Sequence, residues 1–332
     1  MRRSIVNAPE DLVPQALEGF VLSHPRQLAL DEEHRFVSRR EKAEGKVGLV
    51  SGGGSGHEPL HAGFVGKGML DVAVAGAVFA SPTALQVLEA TKAADSGRGG
   101  VQIVKNYTGD VLNFRIAGEI SGDDQVEAEI VLVDDDLATE TEDGGGPGRR
   151  GTAATVIVEK VCGAAAEEGQ DLAAVAEVGR KVAASARTMS LALNAGTHPG
   201  DDEPQFTLEA DEVELGVGIH GERAAQRVPF TDADGLTDLL LDPLLQELGL
   251  SRGTEVLAIV NGLGGTYPLE LNLVARRLHH RLRDAGITVG RSLVGSYVTS
   301  LDMHGISLTL MPLDEELARL WDAPVTTPAL TW

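Results

Sequence analysis

Three short stretches of this chain combine residue types that could handle a small polar substrate. The first is Gly52-Gly53-Gly54-Ser55-Gly56-His57-Glu58-Pro59, directly after the apolar run Val47-Gly48-Leu49-Val50. Glycines strip side chains from the backbone, so peptide N–H groups can approach a ligand closely. His57 adds a group able to donate or accept a proton. The second stretch, Lys105-Asn106-Tyr107-Thr108-Gly109-Asp110, puts an ammonium and a carboxylate after another apolar run. The third is Gly216-Val217-Gly218-Ile219-His220-Gly221-Glu222. Over Glu212–His220 the two-residue strand period places Val213, Leu215, Val217 and Ile219 on one face. Glu214, Gly216, Gly218 and His220 share the other, where a histidine beside two glycines borders open space. Such a histidine is either functional or a hydrogen-bonded structural one.

Familiar glycine-loop chemistries fail on named residues. A P-loop needs Gly-Lys-Ser/Thr, but Gly66-Lys67 is followed by Gly68. A dinucleotide fingerprint would need glycine where His57 stands, which leaves Asp71 a coincidence. A nucleophile elbow at Ser55 fails at the same position. His57 and His61 have the i, i+4 spacing that can hold zinc, but Pro59 between them spoils the geometry, and no metal is expected. Lys105 alone reads as a solvated charge at a strand end, and Asp110 alone as a turn or helix-capping aspartate. His279-His280 read as surface. Arg149-Arg150 is a basic pair, either solvated or contacting phosphate or a partner subunit. Asn261-Gly262-Leu263-Gly264-Gly265-Thr266 is a second strand-to-helix glycine loop without an assigned role.

The elements that must position these groups alternate between apolar strands and helices. After a helix at about Asp11–Leu22, strand 46–50 leads into the glycine loop and a helix from about Pro59 to Gly66. Strand 71–76 follows, then a helix at about Pro82–Ala94 with Ser81 as N-cap. Strand Val101–Val104 enters the Lys105–Asp110 loop and a helix through Arg115 and Glu119. Strand Glu129–Val133 leads to the turn-rich Thr139–Gly151, then to Ala-rich helices at 152–168 and 171–187, the second capped by Asp171. Further strands are expected near 213–219, 255–260, 288–296 and 306–310, with helices at 234–248, broken near Pro243, and at 268–284. The expected fold is α/β in two domains, 1–190 and 191–332, each an open, mostly parallel or mixed sheet flanked by helices. Ligands in such sheets bind outside the carboxyl ends of strands, where the 52–59 and 105–110 loops lie.

A formal net charge of −22 over 332 residues argues against nucleic acid or an anionic membrane surface as partner. Glycine numbers 40, and the excess falls at strand-to-helix junctions rather than in a repeat. The single cysteine, Cys162, excludes a disulfide framework, reads as a small core residue and fits a reducing cytoplasm. No apolar run reaches the ~18 residues of a membrane span. Met1-Arg2-Arg3 leads into Pro9, Glu10 and Asp11 rather than an apolar signal region.

The three stretches, in this order and at these separations, closely resemble the substrate-binding (K) subunit of dihydroxyacetone kinases. The resemblance runs from about residue 8 to the end. It includes Thr299-Ser300-Leu301-Asp302-Met303, Ser307-Leu308-Thr309-Leu310 and Trp321-Asp322-Ala323-Pro324-Val325. It implies that His220 adds through a ring nitrogen to the substrate ketone and forms a covalent hemiaminal. It implies that Asp110 binds the reacting hydroxyl as a candidate general base and that His57 stands near the same hydroxyl. Gly54, Ser55, Gly56 and Lys105 match substrate-contacting positions. Covalent addition would select a reactive carbonyl, which glycerol lacks, and would orient the hydroxyl for transfer. The resemblance implies a kinase subunit with no nucleotide site of its own, served by a separate helical subunit holding ADP and magnesium and rephosphorylated by a phosphocarrier. ATP-dependent relatives instead fuse the helical domain after this one. A homodimer is implied too. Two alternatives stay open: a non-catalytic, ligand-sensing coactivator of transcription, and a kinase subunit for a four-carbon ketose such as erythrulose.

Overall fold

The computed structural model describes residues 4–33, 35–123, 126–139, 148–223 and 226–332. The glycine run at 144–147 lies outside them. The chain divides into two compact units. The first carries the chain up to Val133, with Thr155–Ala183 and Arg319–Trp332, and the second carries Asp134–Ala154 and Ala184–Ala318. Each unit is thus assembled from separated segments, where a single cut near 190 was expected.

In the first unit, β1 (Leu28–Asp31), β2 (Phe36–Arg39), β3 (Gly48–Ser55), β4 (Val72–Val78), β5 (Gly100–Lys105) and β6 (Ala128–Val133) form one sheet in the order β1-β2-β4-β3-β5-β6. The strands from β4 to β6 in that order are parallel, while β1 and β2 add an antiparallel edge. The chain leaves β3 toward β4 on one side and returns across it to β5 on the other. The loops after β3 and β5 therefore part at the sheet's carboxyl end, where this topology opens a crevice. Val50, Val72, Val74, Val104 and the helix residues Val87, Leu88 and Phe114 make the core on one face.

β3 is longer than expected. Its strand runs through Gly52, Gly53 and Gly54 to Ser55, and all eight residues are buried. A Cβ on Gly52 would stand 2.4 Å from Val74 Cγ1, so these glycines serve close packing rather than a turn. The helix expected over Pro59–Gly66 is only a 3₁₀ turn at Ala62–Phe64, because Gly63, Gly66 and Gly68 weaken helix propagation there. Helix α1 spans Leu12–Ser23 and α2 spans Ala84–Ala94. The cap of α2 is Thr83, not Ser81: Thr83 and Gln86 exchange the two hydrogen bonds of a capping box. Helix α3 (Thr108–Asp123) starts directly after the Lys105 loop, and the Ala-rich α4 (Ala154–Glu167) and α5 (Leu172–Ser185) follow as expected.

The second unit is a mixed sheet of β7 (Arg187–Asn194), β8 (Glu212–Leu215), β9 (Gln226–Pro229), β10 (Glu255–Gly262), β11 (Thr288–Gly295) and β12 (His304–Pro312). Its order is β11-β10-β12-β7-β8-β9, and only β10 and β11 are parallel. Helix α6 (Ala233–Leu248) runs through Pro243 without a break, since Leu236, Leu240, Leu241 and Leu244 anchor it on both sides of the proline. Together with α7 (Pro268–Ala285) it covers one sheet face. The last helix, α8, is Glu315–Asp322. The 261–266 loop is structural: buried Asn261 donates to Val298 O and Ser307 Oγ and accepts from Tyr297 N and Val298 N.

Asp135 ties the second unit's first segment together. Wholly buried, it accepts from Thr152 N at 2.6 Å, Thr152 Oγ1 at 2.7 Å, Ala154 N at 3.0 Å and Thr188 Oγ1. Asp135→Ala strands these donors in the interior and is predicted to cost roughly 3 kcal/mol or more. Asp135→Asn should recover only part of the loss. Thermal and denaturant unfolding of both variants check this, and parent-like stability of Asp135→Ala would contradict it.

Candidate active site

At the parting of β3 and β5, the first unit gathers the buried side chains of His61, Asp110 and Glu159 around Lys105. Lysine at the end of β5 reads from sequence as solvated, yet Lys105 is wholly buried. Its ammonium donates to Gly52 O at 3.1 Å and to His61 Nε2 at 2.8 Å, and lies 3.6 Å from Asp110 Oδ2. A Cβ on Gly53 would come within 2.4 Å of that ammonium and 3.3 Å of Asp110 Oδ2. The strand is glycine here so that a charge can lie across it. Asp110 sits in the first turn of α3, where the helix's exposed N–H groups favour a carboxylate. It is 4% exposed.

In the sequence His61 stands out only as a possible zinc ligand, and Glu159 does not stand out at all. Both complete this cluster. An ammonium can only donate, so His61 Nε2 accepts and its proton sits on Nδ1, 2.6 Å from Glu159 Oε1 and 3.0 Å from Ser51 Oγ. Ser51 Oγ in turn donates to Ile103 O. Burial, then the charges of Lys105 and His57, push the His61 pKa well down, which keeps the ring neutral. Burial pushes the Glu159 carboxyl well up, opposed by Lys105 and by the Ser51 hydrogen bond.

The remaining loop residues are held closely. Ser55 Oγ donates to Gly76 O at 2.8 Å. Gly54 lies against the backbone of Phe79 and Ala80, where a Cβ would stand 2.7 Å from Ala80 N. Gly56 has φ +103°, and its N–H donates to the Glu58 carboxylate. His57 is buried, its ring stacked on Phe79 at 5.1 Å. Asp71, the tempting match to a dinucleotide acid, is a structural ion: it pairs with Lys46 at 2.6 Å and Arg39 at 3.0 Å. Cys162 is core, its thiol pushed by burial up to about 12 and therefore unreactive.

His220 belongs to the second unit, whereas His57, Lys105 and Asp110 belong to the first. The strand expected through residue 219 ends at Leu215, because Gly216 turns the chain with φ +82°. Glu214, assigned to the open face, is wholly buried and paired with Arg223 at 3.3 Å. The room beside His220 has another purpose. A Cβ on Gly218 would lie 2.0 Å from Glu222 Oε2 and 2.5 Å from Arg150 Nη1, so glycine clears space for a carboxylate and a guanidinium.

Glu222 accepts from His220 twice: Oε1 lies 2.9 Å from ring Nδ1, and Oε2 accepts from the His220 backbone N–H at 2.9 Å. Gln205 Nε2 holds the His220 carbonyl at 2.7 Å. Arg150 Nη1 stands 4.0 Å from Glu222 Oε2, while Arg150 itself is fixed by Asp136 at 2.6 Å and Gly216 O at 2.9 Å. Arg150 is therefore buried and held by internal partners rather than solvated. Arg149 donates to Asp134 O. Burial, against the charge of Arg150, raises the Asp136 carboxyl to about 6. Glu222 is visible in the sequence motif, but nothing there gives it a role.

The doubly wound half-sheet of the first unit and the glycine-cleared side chains of both units define the class as an α/β protein with charge placed at strand ends. The Dak1 domain matches residues 18–329, and the chain belongs to that family. It is 45% identical over 328 residues to the protein of Listeria innocua described as PTS-dependent dihydroxyacetone kinase 1, dihydroxyacetone-binding subunit DhaK, covering 98% of this chain and 99% of that one. The dihydroxyacetone kinase of C. freundii superposes with a TM-score of 0.89 at 34% identity; the match covers 99% of this chain and 60% of that chain. The dihydroxyacetone kinase operon co-activator Dha-DhaQ also gives 0.89, at 30% identity over 95% of this chain and 97% of that one. The resemblance read from the sequence is thus borne out. No helix among the described residues is long and apolar enough to cross a membrane.

The buried charges of both units lead to measurable consequences. Glu159→Ala removes the nearer acceptor of the buried His61 Nδ1–H and should destabilise the first unit by about 1–3 kcal/mol, with Glu159→Gln milder; denaturant unfolding of the pair is the check. In the second unit, burial would raise the Glu222 carboxyl, but the hydrogen bond and charge of His220, then Arg150, outweigh it and hold the pKa at about 2. A carboxyl depressed in the folded state contributes stability that is complete above its unfolded value and is lost as pH falls through the folded one. The stability difference between parent and Glu222→Gln should therefore be constant above pH 4.5 and shrink toward about 2. An unchanged difference at acid pH would refute the assignment.

Proposed function

We propose that this chain is the dihydroxyacetone-binding subunit of a dihydroxyacetone kinase, holding its ketone substrate as a hemiaminal on His220. The observation that carries the reading is the Nδ1–Glu222 contact at 2.9 Å. An ionised carboxylate can only accept, so the ring proton sits on Nδ1 and the lone pair on Nε2. That lone pair is what adds to a carbonyl carbon. A triose offers little surface for tight binding by hydrogen bonds alone, and addition discriminates a ketone from glycerol outright. Asp110 and His57 serve the hydroxyl that accepts the phosphoryl group, Asp110 as hydrogen-bond acceptor beside the Lys105 ammonium and His57 as its companion. Gly54, Ser55, Gly56 and Lys105 bind the substrate. Phosphoryl transfer asks the protein for orientation and charge placement more than covalent chemistry.

The phosphoryl group comes from a separate helical subunit that carries ADP and magnesium and is recharged by a phosphocarrier; this chain supplies the acceptor and acts in the cytoplasm, as a homodimer. The Listeria relative's description as PTS-dependent supports that donor. The likeness to Dha-DhaQ supports a second reading, a ketone sensor without turnover. Intact mass spectrometry tests the central step. The parent should gain the full mass of one dihydroxyacetone with no loss of water, and His220→Ala should gain none. With the helical subunit and phosphocarrier supplied, Asp110→Ala should keep the adduct and lose roughly 10²–10⁴-fold in turnover. No turnover by the reconstituted parent would favour the sensor. Tighter capture and faster turnover of erythrulose would move the substrate to four carbons.

A further inference from the structure

Resting on the hemiaminal reading of His220, we infer that Glu222 is the positioning residue for this nucleophile: it selects the Nδ1–H tautomer and stabilises the cationic ring formed as Nε2 adds to the ketone. The geometry is specific. Both carboxylate oxygens are committed to His220, one to the ring at 2.9 Å and one to its backbone N–H at 2.9 Å. The carboxylate therefore tracks the residue it orients. Gly221, with φ +78°, makes the turn that returns Glu222 over His220. The turn is closed by Gly218 N donating to Glu222 O and by Gly221 N donating to Gly218 O. A Cβ at Gly218 would occupy the position of the carboxylate.

The addition needs no reactant beyond the ketone and solvent water. The Nε2 lone pair forms the bond to the carbonyl carbon, and the C=O π pair moves to oxygen. The alkoxide takes one proton from solvent water, which leaves as hydroxide. The ring, now substituted on Nε2 and protonated on Nδ1, carries one positive charge. Glu222, an acid held ionised in the fold, pairs with that charge and does not itself take the proton. This is the role an orienting carboxylate plays beside a general-base histidine in serine hydrolases, moved here to a histidine that is itself the nucleophile. Arg150 Nη1 stands 4.0 Å from Glu222 Oε2, and its charge supports the carboxylate while both oxygens engage His220. Asp136 and Gly216 O hold Arg150 in turn.

The test uses the whole chain with nitrogen-15 in its histidines. Long-range proton–nitrogen correlation reads the His220 tautomer in the parent, Glu222→Gln and Glu222→Ala. Titration with dihydroxyacetone, followed by intact mass, reads the adduct in the same proteins and in His220→Ala. The parent should carry its proton on Nδ1. Glu222→Ala should relax toward the Nε2–H form that an unconstrained histidine side chain favours. Glu222→Gln, with a neutral acceptor of the same shape, should weaken the adduct roughly 10- to 100-fold, the loss expected when a charged hydrogen bond becomes a neutral one. A parent ring protonated on Nε2, or parent-like adduct affinity in Glu222→Gln while His220→Ala forms none, would overturn the role of Glu222 alone. An adduct retained by His220→Ala would overturn the hemiaminal reading and the role of Glu222 with it.

Discussion

A wholly buried ammonium is the constraint around which the first unit is arranged. Lys105 takes a positive charge out of water at the end of β5, which is tolerable only with acceptors on hand. Those acceptors dictate much that surrounds it. Gly52 must offer its carbonyl, Gly53 must lack a side chain, His61 must stay neutral with its lone pair toward the ammonium, and Glu159 must accept from the ring's one N–H. Asp110 then receives a charge partner at 3.6 Å in the first turn of a helix. The parallel topology supplies the place, since β3 and β5 are neighbours whose following loops leave in opposite directions.

The second unit solves a similar problem with different residues. Glu222, Arg150 and Asp136 form an alternating series of charges that ends on an imidazole, and Gly218 is the missing side chain that admits it. In both units glycine gives room to a protein charge, and that charge fixes a proton on a chosen ring nitrogen. His61 and His220 both carry Nδ1–H against a glutamate. They differ in exposure: His61 is buried, while the His220 ring is 18% exposed. The first is suited to holding Lys105 and the second to meeting a ligand.

Much of this architecture is legible in the sequence, and what is not has physical reasons. Alternating apolar runs mark β3 to β6 and the Ala-rich helices because both periods are strong there. The glycines of β3 mislead, since glycine reads as a breaker unless the close approach it permits is known. The turn at Gly216 misleads oppositely: Val217 and Ile219 are still buried, so the side-chain alternation outlives the strand. Pro243 reads as a break because the leucines that hold α6 across it act through tertiary packing. Of the candidate site, His57, Lys105, Asp110 and His220 are readable from residue type, position and family resemblance. Glu159, Gly53 and Arg150 are not, because long-range contacts between sequentially distant residues give them their meaning.

Whether His220 is a nucleophile decides the function of the second unit's charge series. The most direct measurement is carbon NMR of dihydroxyacetone carrying carbon-13 at C2, bound to protein with nitrogen-15 in its histidines. The C2 signal should leave the ketone region for that of a tetrahedral carbon and show one-bond coupling to His220 Nε2. A bound C2 that remains a ketone, or one whose tetrahedral signal survives in His220→Ala, would contradict covalent capture by this histidine.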